Sequence, residues 1–186
     1  MSKRYPLRNI IIEAWQDCID NDYMKQRINS ERSLQASFWS QLNGKLPPTK
    51  RIFIEPPMTI KAKNDIKKII PDIVICNTKE VISVIELKYL PRGQPKFDKD
   101  FESLALISKK RKLISIKNSR FRGIEEDSKE YTLSKDILFV WASIHAQPRH
   151  ETETPNSCRY KSLENNFFQL HAETKQGAKP VIYIVE

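Results

Sequence analysis

Three side chains of types that can take part in catalysis lie at the ends of two apolar segments of this sequence. Asp72 opens the first segment, and Glu86 and Lys88 close the second, which runs over residues 81–85. The second segment is almost wholly apolar, as is typical of a central strand covered on both faces. In a strand, Glu86 and Lys88 point to one face and Leu87 points to the other. The pattern therefore predicts a carboxylate and an ammonium on one side of a sheet.

This set of groups is suited to metal-assisted hydrolysis of a phosphodiester. Asp72 and Glu86 would supply oxygen ligands to Mg²⁺, which keeps several waters and binds through one or two carboxylates and the substrate phosphate. Mn²⁺ would serve as a substitute. Lys88 would orient or help to deprotonate the attacking water and stabilise negative charge on the phosphate.

The residues Pro71-Asp72, thirteen intervening residues and Glu86-Leu87-Lys88 resemble the motif of the PD-(D/E)XK nuclease superfamily, which has the restriction-endonuclease-like fold. The resemblance implies an α/β protein with an αβββαβ core, in which helices flank a mixed central sheet. This core would cover about residues 29–145 of a single domain spanning 1–186. The family often adds a glutamate from the helix before the sheet, and Glu31 occupies that place.

Apolar periodicity predicts the elements around the motif. Asn29-Ser30-Glu31 opens a helix with Leu34, Phe38 and Leu42 on its apolar face. The other predicted elements are an N-terminal helix over residues 5–20, a helix from Phe97 to about Ser115, a strand from Asp136 to His145, a last helix around Leu163, Phe167, Phe168 and Leu170, and a closing strand Val181–Val185.

The register of the motif hairpin decides whether its carboxylates share a face. A plain four-residue turn over residues 77–80 would place Asp72 opposite Ile85 and would spoil the site. A functional site therefore predicts a turn of three or five residues, or a bulge near Pro71, where ladder pairing is already imperfect.

Each of these charged residues also has an ordinary structural interpretation. Asp72 fits a turn, and Glu86 and Lys88 fit a charged strand end in solvent. Glu31 fits the first turn of a helix because the macrodipole favours an acid there, although it also lies on the stripe of Leu34. Glu55, which closes a short strand, is a weaker candidate ligand or supporting residue.

The helix after the motif begins with charged residues of its own. Asp98 and Asp100 are predicted to act as helix caps or dipole partners rather than as metal ligands. Lys96 or Lys99 would be in a position to contact phosphate.

The overall charge favours an anionic partner. The chain has a net charge of +9 and an isoelectric point near 9.4, which is typical of nucleic-acid-binding proteins. A basic cluster follows the motif helix, where it is predicted to adjoin the site and to neutralise phosphates, with DNA favoured over RNA. The alternative is a solvated surface. The cluster consists of Lys109, Lys110, Arg111, Lys112, Lys117, Arg120 and Arg122.

Composition narrows the other possibilities. No segment approaches the roughly 18 to 20 apolar residues of a membrane span, and no secretory signal is recognisable. The cysteines Cys18, Cys76 and Cys158 match no zinc spacing, and Cys76 is predicted to lie in the core. A cytoplasmic, reducing environment is therefore expected. Glycine-rich phosphate loops and serine-hydrolase elbows are absent from the sequence.

The sequence as a whole predicts a magnesium-dependent, endonuclease-like phosphodiesterase. The alternatives are a non-catalytic nucleic-acid-binding or assembly module on the same fold, and an interaction protein in which the motif is accidental. The resemblance also makes a homodimer plausible, since many nucleases of this fold pair two active sites to cut both strands.

Overall fold

The computed structural model describes residues 5–62, 65–94, 96–122, 125–146, 158–163 and 165–186. It is a mixed α/β structure in which helices pack on a curled, mixed sheet. The α-helices are α1 (Tyr5–Asp17), α2 (Glu31–Lys45) and α3 (Asp98–Lys110). The strands are β1 (Arg51–Ile54), β2 (Met58–Ala62), β3 (Asp65–Ile69), β4 (Ile73–Cys76), β5 (Glu80–Leu90), β6 (Ile114–Arg122), β7 (Glu125–His145), β8 (Phe167–Glu173) and β9 (Val181–Val185).

The long strand β7 organises the sheet. The strand order is β1-β4-β5-β7-β6-β2-β3. The first part of β7 pairs with β6, and its last part pairs with β8, which in turn pairs with β9. The β5–β7 and β7–β8 pairs are parallel, and the other pairs are antiparallel. The parallel pairs lie in the middle of the sheet, where helices cover both faces as such pairing requires.

Alternation along β4 and β5 divides the core between the two faces of the sheet. Ile73, Ile85 and Leu87 pack against α1 and α2. Val74 and Val84 pack on the other face, against α3. Because side chains alternate along a strand, Asp72, Glu86 and Lys88 share the α3 face.

The motif hairpin reaches this arrangement by a bulge. Cys76 pairs with Val81, so four residues, 77–80, separate the first pair of the hairpin, although Glu80 already pairs with β7. In this register the prediction of a three- or five-residue turn is wrong. The next pair is Ile75 with Ser83, which leaves Ile82 as an extra residue on β5. The expected bulge is therefore present, but at Ile82 rather than near Pro71. Ile73 then pairs with Ile85, and the same register places Asp72 opposite Glu86.

The helices differ from prediction mainly at their ends. Helix α1 passes into a π-helical segment, Cys18–Tyr23, instead of ending near residue 20. Helix α2 begins as predicted: Ser30 caps it, and Ser33 completes a capping box. Helix α3 is shorter than predicted, because a 3₁₀ turn follows Lys110 and Ser115 already lies in β6. Among the described residues, no helix is long and apolar enough to cross a membrane.

The predicted C-terminal helix is wrong. Phe167, Phe168 and Leu170 lie in β8, and Leu163 ends a 3₁₀ turn before it. Every residue of β8 up to Ala172 is buried, including the polar Gln169 and His171, and the four-residue spacing of Leu163 and Phe167 resembles that of a helix. The closing strand over residues 181–185 is confirmed as β9, and Cys76 is buried as predicted.

The cap of α2 can be tested by a single substitution. Ser30→Ala removes the oxygen that accepts the Ser33 backbone N–H, so the free energy of unfolding should fall by about 1 kcal/mol. The control is Ser40→Ala on the exposed middle of the same helix, where alanine should be neutral or slightly stabilising. Urea unfolding of both variants measures the difference, and equal stabilities would contradict the prediction.

Candidate active site

Asp72 is positioned by three hydrogen bonds from different elements. Its carboxylate Oδ2 accepts the Leu87 backbone N–H of β5 at 2.6 Å. Its backbone carbonyl accepts the Gln35 side-chain amide of α2 at 3.0 Å and the Glu55 N–H at 3.0 Å. These bonds fix Asp72 between α2, β5 and the end of β1, so both its backbone and its side chain are held.

Glu86 is buried beside Asp72. Only 8% of Glu86 is exposed, and its carboxyl is hydrogen-bonded to that of Asp72. Burial, and then the charges of Asp72 and Asp100, raise the pKa of Glu86 well above its usual value. Burial also raises the pKa of Asp72, although the hydrogen bond from Leu87 acts in the opposite direction. Since the pKa of Glu86 is raised more strongly than that of Asp72, Glu86 is the more readily protonated of the two carboxyls.

Lys88 is a cation surrounded by carboxylates. Its Nζ atom lies 3.2 Å from Asp100 Oδ2 and 3.9 Å from Glu31 Oε2. Burial disfavours the ammonium form, but the neighbouring carboxylates, above all those of Asp100 and Glu31, outweigh it and raise the pKa of Lys88. Lys88 is therefore charged at neutral pH, which suits it to orient water and bind phosphate rather than to remove a proton.

Glu31 approaches Lys88 from α2, which packs on the opposite face of the sheet from α3. Its side chain is 46% exposed and lies in the first turn of α2, so it is not part of the buried stripe of that helix. The hydroxyl of Tyr89 donates to the Ile28 carbonyl at 3.1 Å and thereby ties the end of β5 to the segment before α2. The structure thus places the Glu31 carboxylate 3.9 Å from the Lys88 ammonium.

Asp100 also lies beside Lys88. Its predicted role as a helix cap or dipole partner did not include this contact. It is 7% exposed and accepts the Trp141 indole N–H at 3.1 Å as well as the Lys88 ammonium. A signal for this was present in the sequence. Asp100 lies four residues before Leu104 and seven before Ile107, which are both buried, so it occupies the core face of α3.

The other charged residues that the sequence suggested, Glu55, Lys96 and Lys99, have exposed side chains. Glu55 has an exposed side chain and contacts Asp72 through its backbone N–H, at a residue with φ of 48°. Lys96 and Lys99 are exposed at the start of α3. Their expected contact with phosphate stays a prediction.

The donor set fits one hard divalent cation better than a cage of protein ligands. Among the described residues, no group of three or more histidine, cysteine, aspartate and glutamate side chains is arranged to hold a metal ion. The adjacent carboxyls of Asp72 and Glu86 are nevertheless two oxygen donors in contact, which is the number Mg²⁺ usually takes from a protein. Burial raises the pKa of both carboxyls, and for Glu86 the charge of Asp72 adds to this, so a cation bound beside them would favour their ionised forms.

The basic cluster does not adjoin these carboxylates. Lys109 and Lys110 end α3, about 15 Å along the helix from Asp100 at about 1.5 Å per residue. A cavity of about 610 Å³ lies there, and the Arg111 guanidinium donates to the Lys135 carbonyl at 2.8 Å. Arg120 and Arg122 have side chains outside the described part of the chain. The basic residues lining the cavity are Lys109, Lys110, Arg111 and Lys112, and Lys117 is exposed on β6.

Comparison of this chain with protein-family models, with curated proteins and with solved structures found no match. The resemblance to the PD-(D/E)XK nucleases therefore depends on the motif and its setting. Function has to be argued from the chemistry of the site.

The buried acid makes stability depend on pH. Because the pKa of Glu86 is raised in the folded protein, the folded state retains a proton that the unfolded state releases above the usual value of 4.5. The free energy of unfolding should therefore fall as pH rises from that value towards the folded pKa. Glu86→Gln should be more stable than wild type at pH 7 by about 1 kcal/mol or more, and the gain should shrink towards pH 4.

Urea unfolding between pH 4 and pH 8 in the presence of a chelator measures this difference. The control is Glu55→Gln, on an exposed side chain, which should follow wild type across the range. A Glu86→Gln variant that is less stable than wild type at pH 7 would show that the buried carboxylate has a compensating partner.

Proposed function

We propose that this protein is a metal-dependent nuclease that hydrolyses phosphodiester bonds, with DNA as the favoured substrate. The observation that carries the proposal is the placement of Asp72, Glu86 and Lys88 on one face of the sheet, with the two carboxyls in contact. Titratable groups that are buried together and shifted by one another are typical of catalytic sites.

The order of elements supports a restriction-endonuclease-like fold. Helix α2 is followed by β1, β4 and β5, which form an antiparallel set, then by α3 and by β7, which is parallel to β5. This is the αβββαβ order. The hairpin β2–β3 lies between β1 and β4, and β6 lies between α3 and β7, as additions to that order.

Each residue of the trio has a distinct task in the proposed reaction. Asp72 and Glu86 would hold the Mg²⁺ ion, or Mn²⁺ in its place, which supplies Lewis-acid polarisation of the phosphate and lowers the pKa of bound water. Lys88 orients the attacking water and stabilises the charge that develops on the phosphate oxygens. Glu31 assists by its contact with Lys88 on the exposed side of the site.

Nucleic acid would be attracted by the strong net positive charge of the chain. The cluster at the end of α3 presents exposed lysines around a cavity and is suited to bind phosphates away from the reacting one. Such contacts add affinity without reading sequence.

Cleavage assays test the proposed activity. Wild-type protein should cut members of a panel of single-stranded, duplex and branched DNA and RNA when Mg²⁺ or Mn²⁺ is present. Asp72→Asn and Lys88→Ala should each lower the cleavage rate by at least about 100-fold, because each removes a group that acts on the transition state. Asp72→Asn keeps an oxygen that can accept the Leu87 N–H, so folding should be preserved.

The matched control is Lys79→Ala, which removes an exposed lysine from the turn at the other end of the same hairpin. It should cut like wild type. If wild type shows salt-sensitive binding but no metal-dependent cleavage, the non-catalytic nucleic-acid-binding module is the correct interpretation. If it neither binds nor cuts, the proposal fails.

The basic cluster has its own test. Replacing Lys109, Lys110 and Lys112 together by alanine should weaken binding to all duplex sequences alike. The slope of log affinity against log salt should fall by about 0.9 for each phosphate that the variant no longer neutralises. The cleavage rate at saturating substrate should not change, since the cluster lies at the end of α3 that is away from the site. A double variant, Lys25→Ala with Lys175→Ala, removes exposed charge elsewhere and serves as control; an equal loss of affinity there would contradict a local interaction.

A further inference from the structure

Asp100 differs from the other acids at the start of α3. Asp98 is exposed in the same helical turn, as expected for an acid that interacts with the helix dipole and solvent. Asp100 is 7% exposed and faces the sheet. Burying a carboxylate is costly unless it is paired and hydrogen-bonded, so its partners explain why it is there.

Both partners of Asp100 come from the strands that form the site. The Oδ2 atom accepts the Trp141 Nε1–H at 3.1 Å and lies 3.2 Å from Lys88 Nζ. Trp141 lies on β7, directly opposite Glu86 in the β5–β7 register, so the indole anchor and the lysine lie on neighbouring strands. One carboxylate oxygen thus joins α3, β5 and β7 at the position of the catalytic ammonium.

A lysine side chain needs such an anchor to act in one place. Its ammonium ends a flexible stem that carries about 2 kcal/mol of rotamer entropy, so an unrestrained lysine would occupy many positions. The second carboxylate near Lys88, that of Glu31, is more distant at 3.9 Å and is partly exposed. Asp100 is the closer and more buried of the two contacts.

We propose that Asp100 is a positioning residue that holds the Lys88 ammonium beside Glu86 in the orientation needed for phosphodiester hydrolysis. This inference depends on the proposed nuclease activity. Asp100 acts through Lys88, because its Oδ2 atom is engaged by the indole and the ammonium. The exposed Glu31 has a weaker version of the same contact.

The test is a double-mutant cycle with Asp100→Asn and Lys88→Ala. The asparagine is isosteric and keeps an oxygen for Trp141, but it loses the charge that holds the ammonium. In the wild-type background it should lower kcat by about 10- to 100-fold, as expected for a displaced catalytic group. KM for the nucleic acid should stay within about twofold, because Lys88 acts mainly on the charge that develops in the transition state and is one of many phosphate contacts. In the Lys88→Ala background it should have no further effect on kcat.

Two controls separate positioning from a structural role. Asp98→Asn makes the same change in the same turn, leaves an acceptor for the Tyr160 hydroxyl and should cut like wild type. Trp141→Phe removes the indole donor while the charge pair with Lys88 remains. It should lower stability at least as much as Asp100→Asn but reduce kcat less. If both variants lose stability and kcat in the same proportion, Asp100 is only structural.

The remaining outcomes are also decisive. An equal loss of kcat in the Lys88→Ala background would show that Asp100 acts independently of the lysine. A raised Mg²⁺ requirement in Asp100→Asn would make it a metal ligand. If wild type cleaves and Asp100→Asn is unchanged, this inference alone fails. If wild type does not cleave any substrate, the proposed function and the inference fail together.

Discussion

The register of the β4–β5 hairpin is the constraint on which the site depends. Side chains alternate along a strand, so a shift of one residue moves every side chain to the other face. The extra residue Ile82 makes the shift between the turn and the motif, and it packs its half-buried side chain against the α1 and α2 face. Beyond it, Asp72 comes opposite Glu86, and Leu87 offers its backbone N–H to the Asp72 carboxylate.

Once the register is set, the charges around Lys88 are out of balance. In the described part of the chain, the carboxyls of Asp72, Glu86, Asp100 and Glu31 lie around the Lys88 ammonium. Burial and the neighbouring acids raise the pKa of Glu86 well above its usual value, so protonation of Glu86 would remove part of the excess negative charge. A hard divalent cation would neutralise the same charge, since carboxylate oxygens are the ligands that such cations prefer. The electrostatics of the cluster therefore agree with the donor chemistry that the motif suggests.

Local patterns predict the parts of this arrangement that depend on short stretches of chain. The apolar strand that ends in Glu86 and Lys88, and the start of α2 at Glu31, follow from apolar patterning and capping residues. Strand β8 resembles a helix in sequence because Leu163 and Phe167 lie four residues apart, and the alternation of Leu170 and Ala172 with Gln169 and His171 is too short to outweigh that spacing. The spacing of Asp100 to Leu104 and Ile107 indicates that this acid faces the core, but its partner on β5 is recognisable only once α3 is packed on the sheet. The predicted position of the basic cluster beside the site is wrong because it also depends on how α3 packs. The helix places its last lysines at the end away from the carboxylates.

The cost of burying Glu86 is an argument for hydrolysis over binding alone. Two adjacent carboxyls in a low-dielectric site weaken the folded state at neutral pH, and an apolar residue at position 86 would pack on α3 without this penalty. A surface that only binds nucleic acid needs exposed lysines and arginines, which the chain supplies elsewhere, and it gains nothing from acids beside the phosphate path. Sites that oppose stability in this way are expected where chemistry requires them. The pairing of Glu86 with Asp72 carries such a cost, and this supports the proposed hydrolysis over binding alone.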